Sequence, residues 1–423
     1  MSGGAAAVTG LGVVSPYGWG AGPFADGLAV GAGAIGGFDR FDHAAYRTHV
    51  AGQVPPAPPA LAARHPGWRR LTLADRFAVA AAAEAVADAG LGGAGEPVED
   101  RFAGRRAGVF FSSSTGGMLE SEAFYAALAP GPRPLAAGRR PRLDRIAAQQ
   151  VSAPGEAVAR ALGVSGPVAT VSSACASGTL ALGLALDALR AGEVDVAIAG
   201  GADSLCRITY AGFNSLRSVD ERPCRPFRAD RAGLSLGEGA AVLVLERADA
   251  ALARGARPRA LLAGAGAAAD AHHMTAPHPE GDGAARAIAA ALADAGVAAG
   301  EVGSLNAHGT GTPHNDLAEW RALVRVFGAG RASALPLAAT KACVGHLLGS
   351  AGALEAAAAV VCLERRAVHP APGGGAVDPA TPVALVLGRP RPLAGAAPLV
   401  SLNLAFGGCN AALVLLPAPA ATA

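Results

Sequence analysis

The chain has 423 residues, enough for two units that each bury a core. Hydrophobic residues make up 51% and charged residues 16%, a composition that excludes an intrinsically disordered chain. The formal net charge of +2 gives no basis for nucleic-acid binding. No apolar run reaches the roughly 18 residues of a membrane span, and the N-terminus lacks a signal-peptide pattern. The six cysteines are scattered without a CxxC pair, so we expect a reduced, cytoplasmic protein.

Strand-like and helix-like segments alternate from the N-terminus to residue 258. In chain order the apolar patterns predict a strand at 6–14, a helix at 74–89, and strands at 108–112 and 167–171. A helix at 180–189 and strands at 194–199 and 240–246 follow. Alternation of this kind is typical of α/β layers.

A second series opens at residue 259, after a junction at 257–258. It predicts strands at 259–266, 303–307, 335–339, 399–402 and 411–416, with helices at 284–295, 315–326 and 346–365. Both series place an Ala-Cys pair between a strand and an apolar helix, at 170–180 and at 338–348. We therefore predict two duplicated α/β halves, residues 1–258 and 259–423.

Cys175 lies in the run Val-Ser-Ser-Ala-Cys-Ala-Ser-Gly at 171–178, between a predicted strand and a predicted buried helix. The positive end of a helix dipole lowers the pKa of a nearby thiol and makes the nucleophilic thiolate available. The small neighbouring residues leave room for a substrate. The alternative is that Cys175 is only a small core residue.

His308 follows a predicted strand in the run Asn-Ala-His-Gly-Thr-Gly-Thr-Pro at 306–313. The glycines of this loop allow a ligand to approach the backbone closely. Threonine hydroxyls beside an imidazole suit a ligand that carries amides. This run therefore favours a functional histidine over a structural one.

His346 is predicted at the start of the helix 346–365, where the helix dipole should keep the imidazole neutral, as a donor or base. Lys341, just before it, is the only lysine among 35 basic residues. A position that retains lysine in so arginine-rich a chain indicates a need for a compact ammonium group. Glu355 lies about two and a half turns along the helix and could reach Lys341 through a network.

These motifs together resemble the β-ketoacyl-[acyl-carrier-protein] synthases of type II fatty acid and polyketide assembly. The resemblance covers essentially the whole chain and rests on the segments at 8–16, 171–178, 270–277, 308–312, 345–349 and 406–410. It implies the thiolase-like fold, with two duplicated βαβαβ halves packed as αβαβα layers. It also implies an acyltransferase that adds two carbons to an acyl chain.

The resemblance further implies a Cys-His-His triad. Cys175 would take an acyl chain from a carrier-protein thioester, while His308 and His346 would promote decarboxylation of a malonyl unit and stabilise the enolate that attacks the acyl-enzyme. By the same analogy, the backbone N–H groups of Cys175 and Phe406 form the oxyanion hole.

Further roles follow from the resemblance alone. Lys341 and Glu355 match a charged pair that orders the second histidine, His346. Thr310 and Thr312 match residues that bind the phosphopantetheine arm, and Thr115 stands at the acyl pocket, where its small size favours longer or unsaturated chains. The basic residues that match the carrier-protein surface are Arg64, Arg69, Arg70 and Arg217.

The resemblance implies neither a tightly bound cofactor nor a metal, and a dimer with either an identical subunit or a chain-length factor. Two departures favour a specialised pathway, such as aryl-polyene synthesis: Ala405 stands where the family has glycine, which should alter movement of the Phe406 loop, and Arg228 stands where aspartate is common. Two alternatives stay open. A CoA-dependent thiolase would use a second cysteine, for which Cys409 is in roughly the right region, and a chain-length factor would lack the nucleophile that Cys175 provides.

Overall fold

The structure is a computed structural model that describes residues 4–65, 67–92, 102, 104–128 and 147–419. The strands of the N-terminal half are β1 (Ala6–Ser15), β2 (Gly18–Trp19), β3 (Gly36–Gly37), β4 (Val50–Ala51), β5 (Ala107–Ser112), β6 (Val168–Val171), β7 (Val196–Asp203) and β8 (Gly239–Arg247). Its helices are α1 (Ala21–Val30), α2 (Pro59–Arg64), α3 (Leu73–Asp88), α4 (Met118–Leu128), α5 (Ala153–Leu162), α6 (Ser177–Arg190), α7 (Arg207–Ser215) and α8 (Ala248–Ala253).

The C-terminal half follows the same alternation. Its strands are β9 (Ala260–Ala269), β10 (Ser304–Asn306), β11 (Pro336–Ala338), β12 (Ala367–Val368), β13 (Ala384–Leu385), β14 (Arg391–Pro392), β15 (Leu399–Leu404) and β16 (Cys409–Pro417). Its helices are α9 (Asp282–Ala295), α10 (Pro313–Phe327), α11 (Ala329–Ala332), α12 (Lys341–Val344) and α13 (Ala351–Arg365).

The two halves repeat one sheet topology. The strand order is β6-β5-β7-β8-β1 in the first half and β11-β10-β15-β16-β9 in the second. In each half the first three strands of this order run parallel and the last two join antiparallel. Since β6 and β11 occupy equivalent places, the similarity between residues 170–180 and 338–348 has a structural basis. The predicted duplication of the fold is confirmed, and the division at residues 258 and 259 stays a prediction.

Helices cover both faces of each sheet. Helices α3 and α5 pack on one face of the first sheet, and α9 packs on the second sheet with α10 against it. Between the sheets, α6 and α13 contact each other and strands of both halves. The result is the predicted αβαβα arrangement. Antiparallel pairing of β1 with β9 links the two sheets edge to edge.

The two central helices approach each other at glycines. A Cβ atom on Gly178 would lie 2.5 Å from the backbone nitrogen of Ala353, and one on Gly352 would lie 2.5 Å from that of Thr179. Helix α13 is buried on every side from Ala351 to Leu363, so its small residues let it occupy the centre of the molecule.

Each strand and helix predicted from the sequence overlaps an observed one, and the boundary that differs most changes the position of His346. The helix predicted at 346–365 begins only at Ala351. Residues Leu348–Ser350 form a 3-10 turn instead, and Leu348 has a left-handed φ of 53° that an α-helix does not accommodate. His346 therefore lies in a loop. In the part of the chain described, no helix has the length and apolar character to cross a membrane.

The contact between the central helices generates a stability prediction. Gly178→Ala forces α6 away from α13 and should lower the free energy of unfolding by about 1–3 kcal/mol, the usual cost of overpacking. Gly212→Ala is the matched control, because a Cβ atom there meets nothing within 4 Å and the residue lies inside α7. It should raise stability by about 0.5–1 kcal/mol. Urea unfolding measures both, and equal stability of the two variants would contradict the packing argument.

Candidate active site

The side chains of the site follow strands whose carboxyl ends meet at one edge. Cys175 comes after β6, His308 after β10, Lys341 and His346 after β11, and Phe406 after β15. Ligands of α/β proteins bind beyond the carboxyl ends of parallel strands. The topology thus brings together residues that are far apart in sequence.

Cys175 follows a strained turn. Ala174 has a φ of 44°, which costs a residue with a Cβ atom about 1–2 kcal/mol. Ser177, the first residue of α6, holds this turn: its hydroxyl donates to the carbonyl of Ala174 at 2.6 Å and accepts from the N–H of Ser173 at 2.7 Å. Strain of this kind accumulates at functional sites. It presents the Cys175 sulfur to the cavity from the end of the central helix.

Burial dominates the electrostatics of the Cys175 thiol. It raises the pKa of Cys175 to about 11, although the charge of Lys341 and the backbone N–H groups of Phe406 and Cys175 oppose the rise. The sequence-based expectation of a lowered pKa is therefore wrong. The resting sulfur is a thiol, and the two N–H groups stabilise the anion when it forms.

His346 contacts the sulfur through a fixed tautomer. Its Nε2 atom lies 3.0 Å from Cys175 Sγ, and its Nδ1 atom accepts the backbone N–H of Leu348 at 3.1 Å. Burial, followed by the charge of Lys341, holds the pKa of His346 well below 6.5, so the ring is neutral. A neutral ring whose Nδ1 accepts must carry its proton on Nε2. The predicted neutral donor is confirmed, but burial and not a helix N-terminus causes it.

His308 has the same tautomer for a different reason. Its Nδ1 atom lies 3.1 Å from the ammonium of Lys341 and 3.4 Å from the amide nitrogen of Asn403, both of which are donors. Burial, then Lys341 and His346, hold the pKa of His308 well below 6.5. The two imidazole rings stand 5.6 Å apart at 86°. Each ring can therefore offer an Nε2–H group.

A buried network holds the ring of His308. Lys341 forms an ion pair with Glu355 and donates to the carbonyl of His308 at 2.8 Å, while Glu355 accepts from Asn403 at 2.7 Å. Asn403 in turn accepts from Thr179 at 2.6 Å. The predicted link between Lys341 and Glu355 is direct, but the pair orders His308 and not His346.

Sequence reasoning missed Asn403. Its signal was available as a single buried amide in strand β15, whose only other polar side chain is Ser401 and where an unpaired polar group would be costly. It also missed Glu319, whose carboxyl group accepts the backbone N–H groups of His308 at 2.6 Å and Gly309 at 2.9 Å. Burial raises the pKa of Glu319 to about 8.

A cavity of about 220 Å³ leads to the three reactive groups. Thr310 and Thr312 line it, and their hydroxyl oxygens lie 3.0 Å apart. Phe406 lines it beside Phe213, with ring centroids 5.7 Å apart. The remaining lining residues are Leu216, Ser218, Leu234, Asp270, Thr275, Ala276, Pro277, His314, Asn315, Leu404 and Ala405.

Thr115 is placed differently from the other predicted substrate-binding residues. Its side chain is buried, its hydroxyl donates to Asp203 at 2.8 Å, and it is not among the residues that line the cavity. A role in chain-length selection stays a prediction. Any such role would be indirect, through the residues that Thr115 supports, because Thr115 itself does not line this cavity.

The predicted carrier-protein residues lie at the surface where the structure describes them. Arg217 is exposed and sits between Leu216 and Ser218, which line the cavity. Arg69 and Arg70 are exposed on the 3-10 helix Trp68–Arg70. Arg64 ends α2, and its side chain lies outside the described part of the structure.

The two departures from the family pattern take different positions. Ala405 starts the turn before β16, and the left-handed residues of that turn are Gly407 and Gly408, so alanine fits there without strain. Arg228 is buried and donates to the backbone carbonyls of Pro372 and Gly374. Arg228 therefore anchors the loop that contains Pro372 and Gly374.

The donor atoms of Cys175, His308 and His346 lie within 4.8 Å of one another. A thiolate and two imidazoles are ligands that Zn²⁺ accepts. The ammonium of Lys341 contacts the ring of His308 and would repel a cation. The absence of a metal from the reaction stays a prediction.

Comparison with known proteins agrees with this geometry. The family described as "Beta-ketoacyl synthase, N-terminal domain" matches residues 5–251, and "Beta-ketoacyl synthase, C-terminal domain" matches residues 259–374. The chain therefore belongs to the beta-ketoacyl synthase family, and it is an acyltransferase of the ketosynthase type.

Individual relatives match over nearly their whole length. The chain is 35% identical to 3-oxoacyl-[acyl-carrier-protein] synthase 2 of Staphylococcus aureus (strain N315), over 96% of this chain and 97% of the relative. Among solved structures, "The ishigamide ketosynthase/chain length factor" has a TM-score of 0.89 at 35% identity, over 97% of this chain and 98% of the other. A beta-ketoacyl synthase from Burkholderia phymatum STM815 has a TM-score of 0.84 at 32% identity, over 98% and 99%.

The contact between Lys341 and His308 predicts a change in histidine titration. Lys341→Gln removes the nearby positive charge, so the pKa of His308 should rise towards 6.5, though burial keeps it lower. NMR titration of ¹⁵N-labelled histidine measures the change. Arg40→Gln is the control, because it removes a cation that pairs with Glu238 instead. An unchanged His308 titration in Lys341→Gln would contradict the assigned electrostatics.

Proposed function

We propose that the protein catalyses decarboxylative condensation of an acyl chain held on Cys175 with a malonyl unit, giving a β-ketoacyl product two carbons longer. The observation that carries the proposal is the contact of 3.0 Å between Cys175 Sγ and His346 Nε2, with a second neutral imidazole beside it. A nucleophile and two neutral donors at one cavity suit two steps, acyl transfer and enolate formation.

The first step loads the enzyme. The Cys175 sulfur attacks the carbonyl carbon of an acyl thioester, and the tetrahedral oxyanion accepts from the N–H groups of Cys175 and Phe406. Both N–H groups already stabilise negative charge at the sulfur. As the intermediate collapses, the carrier thiol leaves with the proton that the Cys175 thiol gave up. The acyl chain remains on Cys175 as a thioester.

The second step forms the carbon–carbon bond. The malonyl thioester occupies the cavity with its carbonyl oxygen between His308 and His346. Loss of CO₂ leaves an electron pair that becomes the enolate, and the two Nε2–H groups stabilise its oxygen. The enolate carbon attacks the acyl carbonyl on Cys175 and the bond from that carbonyl to sulfur breaks. The Cys175 thiolate leaves and takes a proton from solvent, which restores the thiol. No net oxidation or reduction occurs.

Substrate delivery by an acyl carrier protein fits the shape of the site. The cavity opens beside the exposed Arg217, whose charge suits an acidic partner, and the hydroxyls of Thr310 and Thr312 suit the amides of a phosphopantetheine arm. The name of the Staphylococcus aureus relative specifies a 3-oxoacyl group on an acyl carrier protein. The proposed steps use no other cofactor.

The partner subunit is a second part of the proposal. The similar ishigamide structure combines a ketosynthase with a chain length factor. We infer that this chain takes the ketosynthase position, in a pair with a chain-length factor or with a second copy of itself. The Cys175 nucleophile and its contact with His346 are inconsistent with a purely structural subunit.

A thiolase mechanism is less well supported by the geometry. It requires a second cysteine at the nucleophile, and the nearest sequence candidate is Cys409. Cys409 begins β16, is partly exposed, and is not among the residues that line the cavity around Cys175. The cluster at the site contains two histidines in its place.

Intact-mass analysis after incubation with a panel of acyl carrier proteins tests the proposal. The wild-type protein should gain the mass of one acyl group, and Cys175→Ala should gain none and lose product formation in the otherwise intact complex. Cys409→Ala is the matched control and should acylate and condense like the wild type. The adduct mass identifies the preferred chain.

Three outcomes would contradict the proposed reaction. Product formed by Cys175→Ala would assign the chain to a chain-length-factor role. Loss of activity in Cys409→Ala, together with turnover of CoA esters, would support a thiolase. A labelled malonyl carrier protein that releases no CO₂ with the wild-type enzyme would exclude decarboxylative condensation.

A further inference from the structure

Asp203 is a buried carboxylate at the site for which the steps above assign no role. It is the last residue of β7 and is 0% exposed. Across the described part of the chain, no arginine or lysine nitrogen is found within 4.0 Å of it, so hydrogen bonds rather than an ion pair satisfy its charge. A buried carboxylate of this kind persists only where neutral donors satisfy it.

One oxygen of Asp203 binds the loop after β5. Strands β5 and β7 run parallel, with Ser112 opposite Gly201, so residues 113–115 leave the sheet beside the end of β7. The Oδ1 atom accepts from the Ser113 hydroxyl, the Ser114 N–H, and the N–H and hydroxyl of Thr115, each at 2.8 Å. This loop is therefore attached to the carboxylate at three consecutive residues.

The other oxygen binds the turn that follows His346. The Oδ2 atom accepts the N–H of Ser350 at 2.9 Å. That turn contains Leu348, whose φ of 53° is unfavourable for leucine, and the N–H of Leu348 is the donor that occupies His346 Nδ1. A strained turn persists only when its surroundings hold it.

The loop and the turn also contact each other directly. A Cβ atom on Gly349 would lie 2.7 Å from the Ser114 nitrogen, so the two backbones are in close contact. Ser112 reinforces the junction, because its hydroxyl lies 3.1 Å from the carbonyl oxygen of Gly349. Asp203 thus joins two segments that have no sequence proximity.

We propose that Asp203 is a positioning residue for His346. Its Oδ2 atom holds the turn 348–350 in the conformation that directs the Leu348 N–H at His346 Nδ1, and this bond places the imidazole proton on Nε2. Its Oδ1 atom fixes residues 113–115 to the same anchor, so the wall that carries Thr115 and the catalytic turn share one carboxylate. The inference rests on the proposed function for its kinetic consequence, whereas the tautomer itself is independent of that function.

Asp203→Asn keeps an oxygen at one of the two carboxylate positions and replaces the other oxygen with an NH₂ group. The amide oxygen should face the several donors of residues 113–115, which leaves the NH₂ group opposed to the N–H of Ser350. Two donors in contact repel, so the turn should shift and the Leu348 N–H should leave His346. We expect CO₂ release from a malonyl carrier protein to fall by about 10²-fold, the size of losing one donor to a developing oxyanion.

The deciding readout is the ¹⁵N signal of His346, assigned with His346→Gln. In the wild type its Nδ1 should give a pyridine-type signal and its Nε2 a pyrrole-type signal. In Asp203→Asn the two tautomers should interconvert, so that both nitrogens give intermediate chemical shifts. Ser113→Ala is the matched control, because it removes one of four donors to Oδ1, together with the acceptor of the Gly116 N–H, and leaves the bond to Ser350. It should keep CO₂ release within about twofold and leave the His346 signals unchanged.

Several results would overturn the inference. The first is a folded Asp203→Asn that releases CO₂ at the wild-type rate. The second is a loss of CO₂ release with unchanged His346 signals, which would mean that Asp203 does not act through His346. If Asp203→Asn does not fold, Asp203→Glu keeps both oxygens and should retain the wild-type tautomer. A wild-type His346 with its proton on Nδ1 also refutes the inference without any variant. Failure of the wild-type enzyme to release CO₂ would refute only the proposed function.

Discussion

Lys341 and Glu355 form an ion pair in which each side chain is only 2% exposed, and the chemistry of His308 depends on it. Removing two charges from water is costly, so such a pair persists only when further hydrogen bonds complete both groups. Lys341 obtains them from the carbonyl and Nδ1 of His308, and Glu355 from Asn403. The consequence is a histidine that cannot carry its proton on Nδ1. The buried pair thereby sets the direction of the hydrogen bond on the far side of the ring.

The repeated topology explains why one small cavity can collect these groups. The segments that follow β6 and β11 meet at this cavity, where Cys175 contacts His346, and the two central helices bring the halves into backbone contact at Gly178 and Gly352. Thr179, next to that contact, donates to Asn403 on β15. The hydrogen-bond network of the C-terminal half therefore extends into the helix that follows Cys175. A shift between the halves would disturb the nucleophile and the His308 network together.

The sequence predicted the layers, the duplication and the three reactive residues, because periodic apolar segments and motifs are local signals. It placed His346 on a helix because the segment 346–365 is predominantly apolar, and apolarity does not reveal that Leu348 adopts a left-handed conformation. It also assigned Lys341 to the wrong histidine, since only the tertiary structure shows that the ammonium faces His308. Asn403 and Asp203 were missed because their partners are remote in sequence. The pKa of Cys175 was misjudged because the helix dipole was considered without the burial that outweighs it.

Burial of the thiol is consistent with the proposed chemistry. At rest the ion pair of Lys341 and Glu355 is compensated, the imidazoles of His308 and His346 are neutral and the Cys175 sulfur is protonated, so these five groups together carry no net charge. Negative charge arises only in passing, on the sulfur and then on the enolate oxygen. In a dry site the waiting N–H donors interact with that charge more strongly than they would in water. A permanently ionised sulfur would occupy the Nε2–H of His346, which lies 3.0 Å away, and would compete with the enolate for it. The burial that raises the pKa of Cys175 thus keeps both imidazole donors available for the step that forms the bond.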